Sequence, residues 1–158
     1  MKDKFKTILL YILFTIPVIC LAICIFLDNS KVATLIDETA TKWTGRQEME
    51  MDNTEPGSIA IPGQTELFFK AGELLQKVNI YNPVENNCNI VFTLTVDGET
   101  IWKSGEVQPG YGFYEIQLNK ELQTGEYEAE LFHECFRNGT ALNSAKMNVK
   151  IIVQEKDK

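Results

Sequence analysis

Histidine and cationic side chains are scarce in this sequence. The single histidine, His133, excludes a metal site built on two histidines, and it leaves little room for a catalytic triad. Fifteen Lys and Arg residues stand against 22 Asp and Glu residues, which gives a formal net charge of −7. Nucleic acid is therefore a poor partner, because its binding depends on cationic side chains that neutralise phosphate charge.

Sequence motifs of catalysis and cofactor binding are also missing. No Gly-x-Ser-x-Gly, His-Glu-x-x-His, phosphate-loop or dinucleotide fingerprint occurs. Glutamates alternate over residues 126–134, but alternate positions of a strand point the same way about 7 Å apart, which is too open for a metal cage. We predict a solvated face there, partly neutralised by Lys150, and no catalytic, cofactor-binding or metal-binding residues. A neutral, buried His133 is the expected state of the lone histidine.

Charge is absent from residues 7–27, which are dominated by Leu, Ile, Val and Phe. A helix of this length spans about 31 Å, close to the roughly 30 Å hydrocarbon core of a bilayer. The sequence therefore predicts a transmembrane helix. A cleaved signal peptide and a lipoprotein are the alternatives, but the run is long for a signal peptide. Ile23 is also bulky where a lipoprotein cleavage site needs a small residue.

The flanking charges predict the direction of this helix. Lys2, Lys4 and Lys6 precede it, so the positive-inside rule places residues 1–6 in the cytoplasm and residues 28–158 outside the cell membrane. The exterior part holds 12 basic and 21 acidic residues. Anionic lipid surfaces would repel it, which argues against a lipid-binding role.

Residues 28–57 have the composition of a stalk. Apolar residues at helical spacing, among them Ile36 and Trp43, predict that the membrane helix continues for a few turns. Residues 45–58 then have no apolar period and include a Pro-Gly pair, as in flexible linkers. We predict a folded domain over residues 58–155 that begins near Ile59.

Short alternating runs separated by turn residues fill the rest of the chain. The pair Asp97-Gly98 is the strongest hairpin signal, because a type I′ turn needs positive φ at both positions. This spacing predicts an all-β, immunoglobulin-like antiparallel β-sandwich of seven to eight strands. The predicted strands cover residues 59–61, 66–70, 76–82, 89–96, 99–103, 111–118, 126–136 and 145–154.

Two cysteines fall on the predicted core side of two strands that neighbour each other in such a sandwich. Their phase and direction place Cys88 opposite Cys135, which predicts a disulfide, and the exterior compartment permits one. Two reduced, buried thiols that pack as small apolar residues are the alternative.

Several segments resemble a known group of proteins. They read IPG, FKAGE, QKVNIYNP, NNC, LTVDGETIWKSGEVQPG and GEYEAELFHECF, and Tyr127 stands where many immunoglobulin-like domains keep a corner-forming tyrosine. Over residues 59–154 the chain resembles short membrane-anchored exterior proteins of Gram-positive bacteria. The resemblance implies an immunoglobulin-like domain outside the cell. It implies no activity and assigns no functional residue.

An apolar patch on the outside of one sheet is the candidate binding site. With Cys88 opposite Cys135, Val91 pairs with Phe132, and a two-residue turn at Asp97-Gly98 pairs Thr93 with Trp102. Large apolar groups would then share an outer face, as at protein interfaces: Trp102, Val91, Phe132, Phe136 and Ile152. Alternatively, Trp102 folds over its own sheet, or a slip of one residue sends it into the core.

These observations predict a non-enzymatic, single-pass membrane protein whose exterior domain binds a protein partner or itself in an envelope or cell-surface assembly. A second hypothesis is an exported peptidase inhibitor that acts through end loops at Asn82–Asn87 and Pro109–Phe113. A third is an enzyme that uses His133 and nearby carboxylates.

Overall fold

The computed structural model describes residues 36–45 and 59–155, and within these ranges the chain is all-β. This confirms the predicted fold class at that level. The strands are β1 Thr41–Lys42, β2 Glu66–Lys70, β3 Leu75–Tyr81, β4 Asn89–Val96, β5 Glu99–Lys103, β6 Tyr111–Gln117, β7 Gly125–Arg137 and β8 Thr140–Gln154.

The strands form two sheets. The smaller has the order β1-β6-β3 and the larger the order β2-β8-β7-β4-β5. β2 runs parallel to β8, whereas the other neighbouring strands are antiparallel. Buried side chains from both sheets form one core, in which Phe92 meets Phe113 edge-on at 6.5 Å between ring centroids. This arrangement fits a β-sandwich.

The alternation of side chains decides which face of each strand enters the core. In β2, Leu67 and Phe69 are buried while Glu66, Phe68 and Lys70 are exposed. In β7, alternate residues from Ala129 to Cys135 are buried, and the residues between them are only half-buried. The buried residues are Ala129, Leu131, His133 and Cys135. The core side of β7 agrees with the sequence prediction.

The β4–β5 hairpin forms where Asp97-Gly98 predicts it. Asp97 has φ 51° and Gly98 has φ 78°, as a type I′ turn requires. A bulge follows, because Leu94 pairs with Trp102 while Thr95 pairs with Thr100. The extra residue, Ile101, is fully buried, and Trp102 packs against the same core. The predicted pairing of Thr93 with Trp102 is therefore wrong.

The register between β4 and β7 also differs from the prediction. Ile90 pairs with Cys135, and Thr93 pairs with Phe132. The predicted partners of these two β7 residues, Cys88 and Val91, each lie two residues earlier in the chain. A shift of two residues keeps every side chain on the same face of the sheet, so the predicted faces are still correct. Alternation predicts which face a side chain occupies, but it does not distinguish registers that differ by two residues.

Part of the predicted stalk belongs to the sandwich. β1 pairs with β6, and the backbone N–H of Trp43 donates to the Gly110 carbonyl at 2.8 Å. The Trp43 ring stacks between Tyr81 and Tyr114, with centroid distances of 4.6 and 4.5 Å. The predicted start of the folded part near Ile59 is wrong for residues 36–45, and so is a helix there, because ring stacking and ladder bonds hold this segment extended.

Residues 59–61 form no strand, contrary to prediction. The side chain of Asn86 holds them instead, because its Oδ1 accepts from the Ala60 N–H at 2.7 Å and its Nδ2 donates to the Ala60 carbonyl at 2.8 Å. The predicted transmembrane helix and residues 46–58 of the predicted linker lie outside the described residues. Within the described ranges, no helix is long and apolar enough to cross a membrane.

Candidate interaction surface

The structure keeps only part of the predicted apolar face together. Phe132, Phe136 and Ile152 lie half-buried on the outer side of the larger sheet. Val91 belongs to the same side of the sheet, but it is fully buried and offers no contact area. Trp102 lies on the core side, where its ring meets Phe113 edge-on at 5.1 Å, because the bulge turns it inward. Ile152 pairs with Glu126, six residues before Phe132 on β7 and about 20 Å from it. The predicted five-residue face is therefore corrected to Phe132 and Phe136, and Ile152 lies apart from them on the same side of the sheet.

Charged side chains dominate that outer face. Three lysines bridge glutamates of β7: Lys150 to Glu126 at 3.1 Å, Lys146 to Glu130 at 2.7 Å and Lys103 to Glu134 at 3.4 Å. All three pairs are solvent-exposed, so they contribute little to stability. The hydrogen bond from Lys150 to Glu126 raises the pKa of Lys150, and Glu128 and Glu66 add to this effect. The solvated, partly neutralised face agrees with the prediction.

His133 has the environment of a core residue. It is 2 % exposed, and its ring meets Phe92 edge-on at 5.3 Å. Burial lowers its pKa to about 4, so the imidazole is neutral at physiological pH. Its Nδ1 has no hydrogen-bond partner among the described residues. A neutral, buried histidine is what the sequence predicts.

The Cys88 and Cys135 thiols are buried and in hydrogen-bonding contact. Burial, with the neighbouring Cys88, raises the pKa of Cys135 to about 12, so its thiol carries a proton. The structure describes both residues as thiols. Their proximity is the geometric condition for the predicted disulfide, which stays a prediction.

The two predicted inhibitor loops adjoin at one end of the sandwich. The N–H of Asn82 donates to the Tyr111 carbonyl at 2.9 Å, and the N–H of Gly110 donates to the Asn82 carbonyl at 2.8 Å. Asn82 is fully buried, and its Nδ2 binds the carbonyls of Cys88 and Val107. Val84 is 59 % exposed and Tyr111 is 37 % exposed, and both are large apolar side chains that these loops offer to solvent.

The edge strand β2 is a surface feature that the sequence prediction missed. Its Phe68 is 55 % exposed and lies beside Ile152 of β8. An open groove is lined by residues of β2 and of β3 and β6 of the smaller sheet, among them Phe68 and Leu75, which is 50 % exposed. The other described residues lining it are Thr39, Thr41, Gln64, Glu66, Leu67, Lys77, Val78, Asn79, Phe113, Tyr114 and Glu115. The sequence ELFFK indicates this exposed side chain, because strand alternation places Leu67 and Phe69 on one face and Phe68 on the other.

Buried polar groups near this edge serve the fold. Gln76 is 2 % exposed, and its amide forms hydrogen bonds with both backbone groups of Lys70 and with the Glu73 carbonyl. No group of three or more His, Cys, Asp or Glu side chains within the described ranges could hold a metal ion. The arrangement offers contact area and hydrogen-bonding groups.

Comparisons with known proteins add no relative. No protein-family model, no curated protein and no solved structure matches the chain.

Proposed function

We propose that this chain is a non-enzymatic, single-pass membrane protein that presents an immunoglobulin-like β-sandwich outside the cell for contact with other proteins. The observation that carries the proposal is the concentration of exposed apolar side chains along one side of an acidic domain. Phe68, Leu75 and Tyr114 line one groove and are each at least 39 % exposed. Exposed apolar groups gathered in one place are typical of interaction sites.

Strand order and one hydrogen bond support the immunoglobulin-like assignment. In chain order, the central strands β4 and β7 pair as strands C and F do in that fold, and β3 pairs with β6 as B does with E. The Tyr127 hydroxyl donates to the Gln123 carbonyl at 2.9 Å, which is the contact of a tyrosine corner at the start of strand F.

The location outside the cell rests on the sequence. An uncharged run over residues 7–27 after three lysines favours a membrane anchor with an exterior C-terminal part. The predicted bridge between Cys88 and Cys135 belongs to the same proposal, because exported proteins can keep disulfides. Mass analysis of the unfolded, alkylated chain tests it: an unlabelled Cys88–Cys135 peptide pair supports the bridge, and two alkylated cysteines reject it.

Protease shaving and cross-linking on intact cells test the function. Added protease is expected to degrade the domain, and a photoreactive residue at position 68 is expected to cross-link a protein partner. A matched residue at Lys120 in the loop before β7, on the far side of the larger sheet, is expected to give no such product. A domain that resists shaving until the cells are lysed would contradict the proposal. So would equal cross-linking at the two positions.

Peptidase inhibition is the second candidate, and exposed Val84 at the end of the sandwich is the observation that favours it. An inhibitor would present this side chain to a peptidase cleft. Inhibition assays with the full chain and with Val84→Asp separate the two functions, because the aspartate would abolish inhibition and leave cross-linking at position 68 unchanged.

A further inference from the structure

The backbone of β2 is open on one side. Lys150 N–H donates to the Thr65 carbonyl at 2.9 Å, and Ala71 N–H donates to the Gln154 carbonyl at 2.8 Å. In a parallel pair with this register, every second residue of β2 directs both backbone groups toward β8. Leu67 and Phe69 do so, and the backbone groups of Glu66, Phe68 and Lys70 point away from the sheet.

The end of this edge is closed by a side chain. The Lys70 N–H donates to Gln76 Oε1 at 2.8 Å, and Gln76 Nε2 donates to the Lys70 carbonyl at 2.9 Å. The amide of Gln76 thus occupies the position of a neighbouring strand. The N–H and C=O groups of Glu66 and Phe68 have no such partner among the described residues. Within residues 36–45 and 59–155, four backbone groups of β2 are therefore without a hydrogen-bond partner.

The charges beside this opening have an excess of one sign. On the outer face, Lys150 forms an ion pair with Glu126 at 3.1 Å and lies directly across from Glu128 of β7 and Glu66 of β2. At the Glu66 end of the edge, one cation stands against three carboxylates, which leaves that end negative, whereas Lys70 adds a cation on the same face beyond Phe68. A strand added to β2 would place one side chain beside Glu66 and the next on the same face beside Phe68.

From this geometry we infer that the β2 edge binds an extended segment of a partner protein by strand addition. The segment carries a cationic side chain two residues from an apolar one. Its backbone forms hydrogen bonds with Glu66 and Phe68, its cation lies against Glu66, and its apolar group packs on Phe68. The inference rests on the proposed contact function and specifies the surface and the partner.

Pairing of β2 with a second copy of this chain would bring opposite charges together but would disrupt existing hydrogen bonds of the backbone. Antiparallel pairing of two β2 strands would place Glu66 opposite Lys70 of the other copy and Phe68 opposite its equivalent. However, each Lys70 already uses its backbone groups in the bonds to Gln76. Self-pairing would break those bonds in both copies, whereas a foreign strand can end before Lys70.

Peptide binding to the purified full-length chain in detergent tests the inference. The probes are two labelled, capped heptapeptides, Thr-Thr-Val-Thr-Lys-Thr-Thr for antiparallel addition and Thr-Thr-Lys-Thr-Val-Thr-Thr for parallel addition. We expect at least one to bind, and the same peptide with Glu in place of Lys to bind about fivefold more weakly, since opposite charges across a pair attract and like charges repel. Glu66→Lys in the protein is expected to reverse this preference.

Two variants at position 68 separate backbone from side chain. Phe68→Ala removes the ring and keeps the N–H, whereas Phe68→Pro removes both and spares the bonds to β8. Loss of one backbone hydrogen bond should make Phe68→Pro bind about tenfold more weakly than Phe68→Ala. Equal binding by the two variants would overturn strand addition. No peptide binding, or a dimer of the full chain that Phe68→Pro dissociates, would reject the foreign-strand partner, while cross-linking on cells would still report on the proposed contact function.

Discussion

The two edges of the larger sheet are treated differently. At the β5 edge, Asn119 N–H donates to the Ile101 carbonyl at 2.9 Å, and Asn119 Nδ2 donates to the Thr100 carbonyl at 2.7 Å. Lys120 forms an ion pair with Glu99 of the same strand. At the β2 edge, Gln76 covers Lys70, and the backbone groups of Glu66 and Phe68 that face away from β8 have no hydrogen-bond partner among the described residues. Since open edges invite pairing with other chains, closing one edge of the larger sheet and leaving the other open favours strand addition to this sheet at β2.

Proline substitutions along β2 should show the largest contrast. Leu67→Pro removes a ladder hydrogen bond to β8 and a core side chain, so we expect it to lower the free energy of unfolding by about 3 kcal/mol or more. Phe68→Pro removes an N–H that faces away from the sheet, and its cost should be below about 1 kcal/mol. Urea unfolding followed by fluorescence measures both. Equal losses would show that β2 is bonded on both sides.

Acidification tests whether protonation of the buried His133 destabilises the whole larger sheet, including both of its edges. The pKa of His133 is lowered to about 4 in the fold, so the unfolded chain takes up a proton at higher pH than the folded chain. This contribution to stability is present above pH 6.5 and is lost as the pH falls toward 4. Between pH 7 and pH 5 the loss should be about 2 kcal/mol.

Urea midpoints of the wild type and His133→Leu at the two pH values measure this loss. The variant should lack it, whereas the same pH dependence in both proteins would contradict the account. Since His133 lies on a central strand, the loss should appear equally in the protection of the hydrogen-bonded amides of β2 and β5.

Opening the closed end of β2 should extend the edge by one residue. Gln76→Ala leaves both backbone groups of Lys70 without the amide, and we expect a loss of about 1 to 2 kcal/mol together with faster amide exchange at Lys70. Binding of the cationic peptide should be retained. Gln76→Glu is the matched control, because its carboxylate can accept from Lys70 N–H but cannot donate to the carbonyl. An unchanged exchange rate at Lys70 in Gln76→Ala would refute the closing role of Gln76.

Opening the β5 edge should have the smallest effect. Asn119→Ala removes the side-chain bond to the Thr100 carbonyl and keeps the backbone bond to Ile101, so we expect a loss of about 1 kcal/mol or less. The variant should still not bind the peptide at β5, because Asn119 N–H continues to cover that edge. Lys120→Ala, which removes only an exposed ion pair, is the control and should be nearly neutral. Peptide-induced shifts at Thr100 in Asn119→Ala would contradict this view.

Local patterns predicted much of this fold. Asp97-Gly98 located the β4–β5 hairpin, and the alternation in β7 identified its core face, including His133 and Cys135. These features depend on neighbours in sequence, which a pattern of period two records.

Features that depend on distant residues were not predictable in the same way. The bulge at Ile101 cannot be deduced from Thr-Ile-Trp, since two adjacent apolar residues suit either register. The even offset between β4 and β7 leaves the alternation unchanged, and Trp43 joins the domain through rings that are distant in sequence. The open edge follows from the pairing of β2 with the last strand, about 80 residues away, which no local pattern contains.

Backbone amide exchange at Glu66 and Phe68 in the full chain, with and without the cationic peptide, tests the central claim most directly. The account predicts that these two amides exchange fast in the free chain, that Leu67 and Phe69 exchange slowly, and that saturating peptide protects Glu66 and Phe68. Slow exchange at Glu66 and Phe68 in the free chain, or exchange that saturating peptide leaves unchanged, would contradict it.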